Sequence, residues 1–358
     1  MPQAPHDVIL NSGKAAVRDL TSTVNHHCIQ PDHTSWRPPQ QPRHFSALSA
    51  AFLRVLCGKK LFARALVPAV LALLASNITA QTQHPREFWR SIANNHYAVP
   101  EGEQPFPLAQ ELSGYLSLPD PELRDDLAYS ILDVWIVRKR LFTPAQLNRL
   151  LEDWQGSLRS GIGDRGTDTV FRRSFSALCL SALAERELKD LFLTEAQYRE
   201  LLKNTLTYMH DERDLRGFDA TKGWIHATAH TADLLAALAE NRFFTKDDQA
   251  TLLAAISERL ATAGEIFTYG EQDRLANVAA TIAARDDFDS ASFSAWLKTL
   301  DSQDQTVWKK SPPDVQALAR FENDSYFLRA LASQLAGKPP TEALSHAQKE
   351  ALSILNRR

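Results

Sequence analysis

The sequence predicts an all-α protein of stacked helical hairpins, an α-solenoid of HEAT or armadillo type, with a closed α/α-toroid as the alternative. Three observations carry this. First, one segment recurs: Leu141-Phe-Thr-Pro-Ala-Gln-Leu-Asn-Arg-Leu-Leu151, Phe192-Leu-Thr-Glu-Ala-Gln-Tyr-Arg-Glu-Leu-Leu202 and Phe243-Phe-Thr-Lys-Asp-Asp-Gln-Ala-Thr-Leu-Leu253. Its threonines, Thr143, Thr194 and Thr245, are 51 residues apart both times. Second, each threonine reads as a helix N-cap, with Gln146, Gln197 or Asp248 three residues on to close a capping box and Phe142, Leu193 or Phe244 as the hydrophobic staple. Third, no stretch alternates with strand period, and leucine and alanine outweigh valine and isoleucine.

Taken in order, the chain opens with a leader. Residues 1–54 read as an over-extended gene start or a disordered leader, since the segment is rich in Pro, His, Arg and Gln and no acidic residue occurs from His33 to Arg86. Residues 55–80 read as a signal peptide. Cys57-Gly-Lys-Lys-Leu-Phe-Ala-Arg64 is basic, Ala65 to Ala75 is apolar, and Ser76-Asn-Ile-Thr-Ala80 ends in small residues, which places the cut after Ala80. A bilayer-spanning helix needs about 20 apolar residues, so no stable membrane span is expected after cleavage, and the mature protein is expected to be periplasmic or secreted.

The body, 81–336, then runs as helix pairs. Capped helices carry apolar positions at helical spacing: Leu147, Leu150, Leu151 and Trp154; Tyr198, Leu201, Leu202 and Met209; Leu252, Leu253, Ile256 and Leu260. Upstream of each cap lies another apolar helix, at about 122–138, 172–188, 223–240 and 271–285. Phe288 to Leu297 is a weaker fourth copy. Residues 306–336 add a helix pair broken at Pro312-Pro313, and 337–358 read as a polar tail with a short helix.

Charge and cysteines bound the function. Lys and Arg total 40 against 43 Asp and Glu, and residues 1–80 hold eight and three of them, which leaves 81–358 at a net −8. An acidic body is a poor general partner for nucleic acid or an anionic membrane. Of Cys28, Cys57 and Cys179, only the last lies in the body, and it reads as core between Leu178 and Leu180. No internal disulfide and no zinc-finger spacing is expected. Gly161, Gly163 and Gly166 read as a turn-rich linker without the strand and helix of a nucleotide fingerprint, and no cofactor is expected.

The residues that carry chemistry gather at the starts of the upstream helices. His226, His230 and Asp233, at i, i+4 and i+7, share one helical stripe behind Gly223 and Trp224. Glu271 and Arg274 start the next such helix; Arg172, Arg173 and Ser174 start the previous one; Arg124, Asp125 and Asp126 start the one before. Stacked about 10 Å apart, these starts would form one polar patch. Each has a plainer role as well. In that plainer reading the histidines are partly buried with Asp233 or Asp214 fixing a tautomer, Asp214–Arg216 is a turn-stabilising ion pair, Glu271–Arg274 a surface helix pair and Trp224 core. His226, His230 and Asp233 are the candidate ligands should a metal bind, though none is expected: Ala227 stands where a zinc protease carries its glutamate base.

Asp214-Leu-Arg-Gly217 followed by Lys222-Gly-Trp-Ile-His-Ala-Thr-Ala-His-Thr-Ala-Asp-Leu-Leu235 resembles the signature of the uncharacterised bacterial DUF2785 family. Pro119–Tyr129, Asp168–Ser176 and Glu271–Ala276 are similar to other parts of it, over about 110–300 in all, with Thr231 where the family often has glycine. The resemblance implies an all-helical fold and no established activity. Two functions therefore stand. One is a binding or scaffold module that grips a peptide, protein segment or small anionic or sugar-like ligand through Arg173, Ser174, Arg216, Trp224 and Arg274. The other is a hydrolase or lyase in which His226 and His230, with Asp233, Asp214 or Glu271, supply acid–base chemistry.

Overall fold

The computed structural model describes residues 83–304 and 307–358. The leader, the signal-peptide segment with its cut after Ala80, and Cys28 and Cys57 lie outside them. The described residues belong to one unit, Asn77–Arg358, and it is helical almost throughout.

Two short helices lead in, α1 (Arg86–Asn94) and α2 (Pro105–Tyr115). Helix α3 occupies 122–138, with widened π-type turns at Glu122–Tyr129 and Val134–Arg138 on either side of Ser130–Asp133. Then come α4 (Pro144–Ser157), α5 (Thr169–Lys189) and α6 (Glu195–Asp211). A two-stranded antiparallel hairpin, β1 (Phe218–Asp219) and β2 (Gly223–Trp224), precedes α7 (Ala227–Ala239). Helices α8 (Lys246–Thr262), α9 (Glu271–Ala283) and α10 (Ser290–Asp304) follow, then a single turn of 3₁₀ helix at Val307–Lys309. The chain closes with α11 (Val315–Ala336) and α12 (Glu342–Asn356).

The capped helices begin where the sequence places them. Thr143, Thr194 and Thr245 each accept from the third following backbone N–H, while Gln146, Gln197 and Asp248 accept from the cap's own N–H at 2.8–3.0 Å. Phe142, Leu193 and Phe244 are buried beside them. In the weaker fourth copy Asp289 takes the threonine's part, accepting from Ser292 N at 3.0 Å.

Helices α5, α7, α9 and α11 pack each on the next, and α4, α6, α8, α10 and α12 flank them. The sequence accounts for this. Helix α7 is buried on nearly all sides, and its Ala227, Ala229, Ala232, Ala236 and Ala237 let α5 and α9 approach it from two directions. The flanking helices bury one stripe each: Leu147, Leu150, Leu151 and Trp154 on α4; Leu252, Leu253, Ile256 and Leu260 on α8.

Three boundaries differ from the sequence expectation. The helix expected from 223 starts at Ala227, because 218–224 is pinned as a hairpin. The pair expected over 306–336 is one turn and one long helix, since Asp314, just past the prolines, caps α11 by accepting from Gln316 and Ala317. The stretch expected as a polar tail with a short helix is mostly helix, the fifteen residues of α12, and it packs through buried Leu344, Ala347, Ala351 and Ile354.

Candidate functional site: the junction between α6 and α7

Residues 211–226 leave α6, cross the starts of α3 and α5, and enter α7. Glu212, the residue after the last turn of α6, is 2% exposed. Its carboxylate accepts from Arg173 Nε at 2.6 Å and Nη2 at 3.0 Å, and from the backbone N–H of Arg213 and Asp214 at 2.9 Å each. Arg173, fully buried on α5, also donates through Nη1 to the carbonyls of Ser160 and Gly161. Asp214 takes two donors of Arg216, at 2.8 and 2.6 Å, and the N–H of Gly166. Asp214–Arg216 is thus an ion pair within the turn.

The hairpin is tied down from below. Asp219 Oδ1 accepts from the N–H groups of Thr221 and Lys222 across its tip, and Gly223 supplies the positive φ of +73° that the reversal requires. Arg124, fully buried on α3, donates to the carbonyls of Lys222 and Trp224 at 2.6 and 3.1 Å and lies over the Phe171 and Phe175 rings. Gly217 is held by a close approach: a Cβ there would stand 2.4 Å from the Tyr269 ring and 2.5 Å from Glu271 Oε1.

His226 is the N-cap of α7, in the left-handed region at φ 47°. Its Nε2 lies 3.0 Å from the Tyr269 carbonyl, which can only accept, so Nε2 carries the proton and Nδ1 is left as an acceptor. Burial pushes its pKa down to about 4. His230, one turn on, sits 2.8 Å from Ser174 Oγ through Nδ1. Ser174 donates its single proton to the Ile225 carbonyl, so His230 Nδ1 is the donor and Nε2 the unprotonated nitrogen. Burial holds His230 well below the usual histidine range. Both imidazoles are neutral at physiological pH.

The residues singled out from sequence therefore meet, in other pairings than expected. Neither Asp233 nor Asp214 orients a histidine; Ser174 and the Tyr269 carbonyl do, because the neighbouring helix starts present them first. Asp233 is taken by Arg274, whose Nη1 lies 2.7 and 2.8 Å from its two oxygens. Glu271 and Arg274 are consequently not a pair: Glu271 accepts from Tyr269 N at 2.9 Å and stands 4.0 Å from His226 Nε2. Burial raises the carboxyls of both Asp233 and Glu271. His226 and His230 meet edge to face at 5.7 Å between ring centres. With Asp233 turned to Arg274, the three do not face one point, and among the described residues no group of three or more His, Cys, Asp and Glu is placed to hold a metal. Arg124 and Asp125 touch at 2.6 Å, and burial pushes the Asp125 carboxyl up to about 7. Cys179 is buried.

Trp224 is not core. It is 41% exposed and stacks on His226 with ring centres 4.3 Å apart. Phe218, from the opposite strand, and Tyr269, from the α8–α9 junction, are 41% and 46% exposed and meet Trp224 at 4.9 and 6.4 Å. Sequence reasoning passed over Phe218, Tyr269 and Glu212. The first two are single aromatics in loops, and Glu212 gains its role only from Arg173, 39 residues away. A nearby Lys222–Asp168 pair, at 2.6 Å, adds polar groups beside the rings.

As chemistry, the buried half is closed. Ser174 has no solvent access and its proton is committed to a backbone carbonyl, so its contact with His230 is not a nucleophile–base pair. The open half is aromatic. Residues 158–332 match the model of a family described as "Protein of unknown function (DUF2785)", and this part of the chain, which contains the junction, belongs to that family. Pro119–Tyr129 lies ahead of the matched stretch. No curated protein and no solved structure matches the chain.

Proposed function

We propose that this DUF2785 protein is an exported binding module of open helical-repeat form, an α-solenoid, which holds a sugar-like ligand on the Phe218–Trp224–Tyr269 surface. One observation carries the reading. Three aromatic rings from two separate junctions are gathered, partly exposed, beside a hairpin that Arg124 anchors from below. Large apolar side chains held at a surface without a covering partner mark binding sites. Flat rings with polar groups at their edges suit a ligand that has both C–H faces and hydroxyls. The neutral His226 behind Trp224, and Lys222, Asp168 and Asp219 beside the hairpin, offer hydrogen bonds of both senses.

The repeat-array part of the reading is supported by helices α5, α7, α9 and α11 packing in succession. Export rests on the 55–80 pattern alone. Sequencing the N-terminus of the secreted protein tests it: a mature start near Gln81 supports export, and a retained 55–80 segment contradicts it. No described helix is long and apolar enough to cross a membrane. The hydrolase or lyase reading has no comparable support, since both histidines are orientated by groups other than carboxylates.

The test is titration calorimetry of the full chain against a panel of neutral oligosaccharides and, in parallel, proline- and aromatic-rich peptides. Saturable saccharide binding that Trp224→Ala removes is the expected result. Peptide binding lost in the same variant would keep the surface and change the ligand. Binding that Trp224→Ala leaves intact would overturn the assignment of the surface.

A further inference from the structure

A second feature lies on the other side of the 212–216 turn. A cavity of about 370 Å³ opens where the C-terminal ends of α6 and α8 meet, and Arg165, Arg213, Arg216, Arg259, Glu212 and Asp214 are among the residues that line it. Its carboxylates are engaged. Glu212 is filled by Arg173 and two backbone N–H groups, and Asp214 by Arg216 and Gly166. Its other guanidinium groups are not. Among the described residues Arg165, Arg213 and Arg259 make no ion pair, and Glu265 is the remaining carboxylate of the lining. A body with a net charge of −8 over 81–358 thus has three uncompensated guanidiniums around one hollow.

Arg259 is the telling member. It is 4% exposed, and its one hydrogen bond runs from Nη1 to the Glu212 carbonyl at 3.2 Å. Its Nε is buried with no acceptor. Desolvation lowers the Arg259 pKa to about 10, the response of a buried cation whose counter-charge is incomplete. Buried guanidinium groups normally find a carboxylate or several carbonyls. Capping the C-terminus of α6 engages Nη1 of Arg259 and leaves Nε without an acceptor.

We propose that this cavity is an anion site, in which the buried Arg259, with Arg213 and Arg165 of the same lining, holds a small molecule bearing a phosphate or carboxylate group. An acceptor-rich, negatively charged guest would complete the orphaned Nε and offset the unpaired guanidiniums, since planar guanidinium groups match oxyanions in a bidentate fashion. The hollow is at the small end of ligand pockets, which limits the guest to a compact molecule. Glu265, also in the lining, disfavours a second negative group on the guest and favours one that is otherwise neutral or cationic. The site is separate from the aromatic surface, and neither needs the other.

The experiment is titration calorimetry of the full chain at low ionic strength with inorganic phosphate, and separately with acetate, glycine and phosphoethanolamine as probes. Saturable one-to-one binding of at least one probe is expected, and comparing phosphate with acetate identifies the oxyanion. Removing one charge-assisted contact in Arg213→Gln should weaken binding about 10- to 100-fold, and Arg259→Gln should abolish it. Should Arg259→Gln not fold, Arg213→Gln and the exposed Arg165→Gln carry the test, because neither side chain takes part in the fold's hydrogen bonds. No saturable heat with any probe, or binding that Arg213→Gln and Arg165→Gln leave unchanged, would overturn the site. Trp224→Ala should leave anion binding as it is.

Discussion

The two sets of turns that join these helices are built on opposite principles. Where α3, α5 and α7 hand over to α4, α6 and α8, the same solution repeats: a capped helix start behind a buried Phe or Leu, and over two of these turns an arginine from the following turn reaches back. Arg242 donates to the Leu193 carbonyl and Arg285 to the Phe244 carbonyl, which are equivalent positions one unit apart. At the other turns nothing repeats. The 158–168 linker is glycine-rich, the 212–226 junction folds a hairpin around buried Arg124, Arg173 and Glu212, and the 263–270 junction contributes Tyr269. Repetition is what packing alone requires. The departures from it need another reason, and both candidate sites lie there.

The largest effect that separates the two sets should come from Glu212. Glu212→Gln leaves Arg173 buried without its counter-charge, and breaking a buried pair in this way costs about 3–5 kcal/mol. Urea denaturation should show the midpoint falling by the matching amount at constant slope. A loss below about 1 kcal/mol would mean that the junction does not depend on this pair. Replacing both members with apolar residues of similar volume should recover much of the loss, because no charge is then left unpaired.

How legible each set was in the sequence follows from the range of its interactions. The capped starts were legible to the residue, since Thr194 and Gln197 satisfy each other within one turn of chain. The gathering of polar residues at the other helix starts was legible through register, because equivalent positions on stacked helices meet. Their pairing was not. An i, i+3 spacing suggests Glu271 with Arg274, but Asp233 on the adjacent helix is the partner Arg274 reaches. The hairpin was hidden as well: two-residue strands leave no alternation to detect, and its anchors are the Arg124 guanidinium, about a hundred residues earlier, and the close fit of Gly217 under Tyr269.

A pH series sharpens the contrast next. His226 titrates near pH 4 in the fold and near 6.5 when unfolded, so between these values the unfolded chain binds more protons. Its contribution to stability is complete above about pH 6.5 and declines as the pH falls towards 4, amounting to roughly 2 kcal/mol lost between pH 7 and 5. Asp125, raised to about 7, acts in the opposite sense over part of this range, so the difference between wild type and variant is the quantity to measure. His226→Asn keeps a residue that tolerates the left-handed backbone, and its stability should fall less steeply with acid. Parallel curves for the two proteins would show that His226 is not held neutral by the fold.

Thr143→Ala, Thr194→Ala and Thr245→Ala test the repeated set. Each removes one capping acceptor and should cost about 1 kcal/mol, with the three values agreeing to within a few tenths by thermal or urea unfolding. Scatter of 1 kcal/mol or more among them would mean that the three turns are not energetically equivalent, and the contrast between the two sets would weaken.

The smallest effect on stability should come from the most exposed element of the non-repeating set. Trp224 keeps 41% of its surface in water, and it is anchored through its backbone carbonyl by Arg124, a bond that a side-chain substitution does not touch. Trp224→Ala should therefore shift stability by about 1 kcal/mol or less, the range for substitutions away from core and buried polar networks, while removing whatever the aromatic surface binds. Loss of several kcal/mol would instead show that the ring is a packing element over His226, and the surface would have to be reassigned to the fold. A tryptophan that costs little to remove, on a hairpin held from beneath by the fully buried Arg124, is what a binding surface on a rigid support predicts.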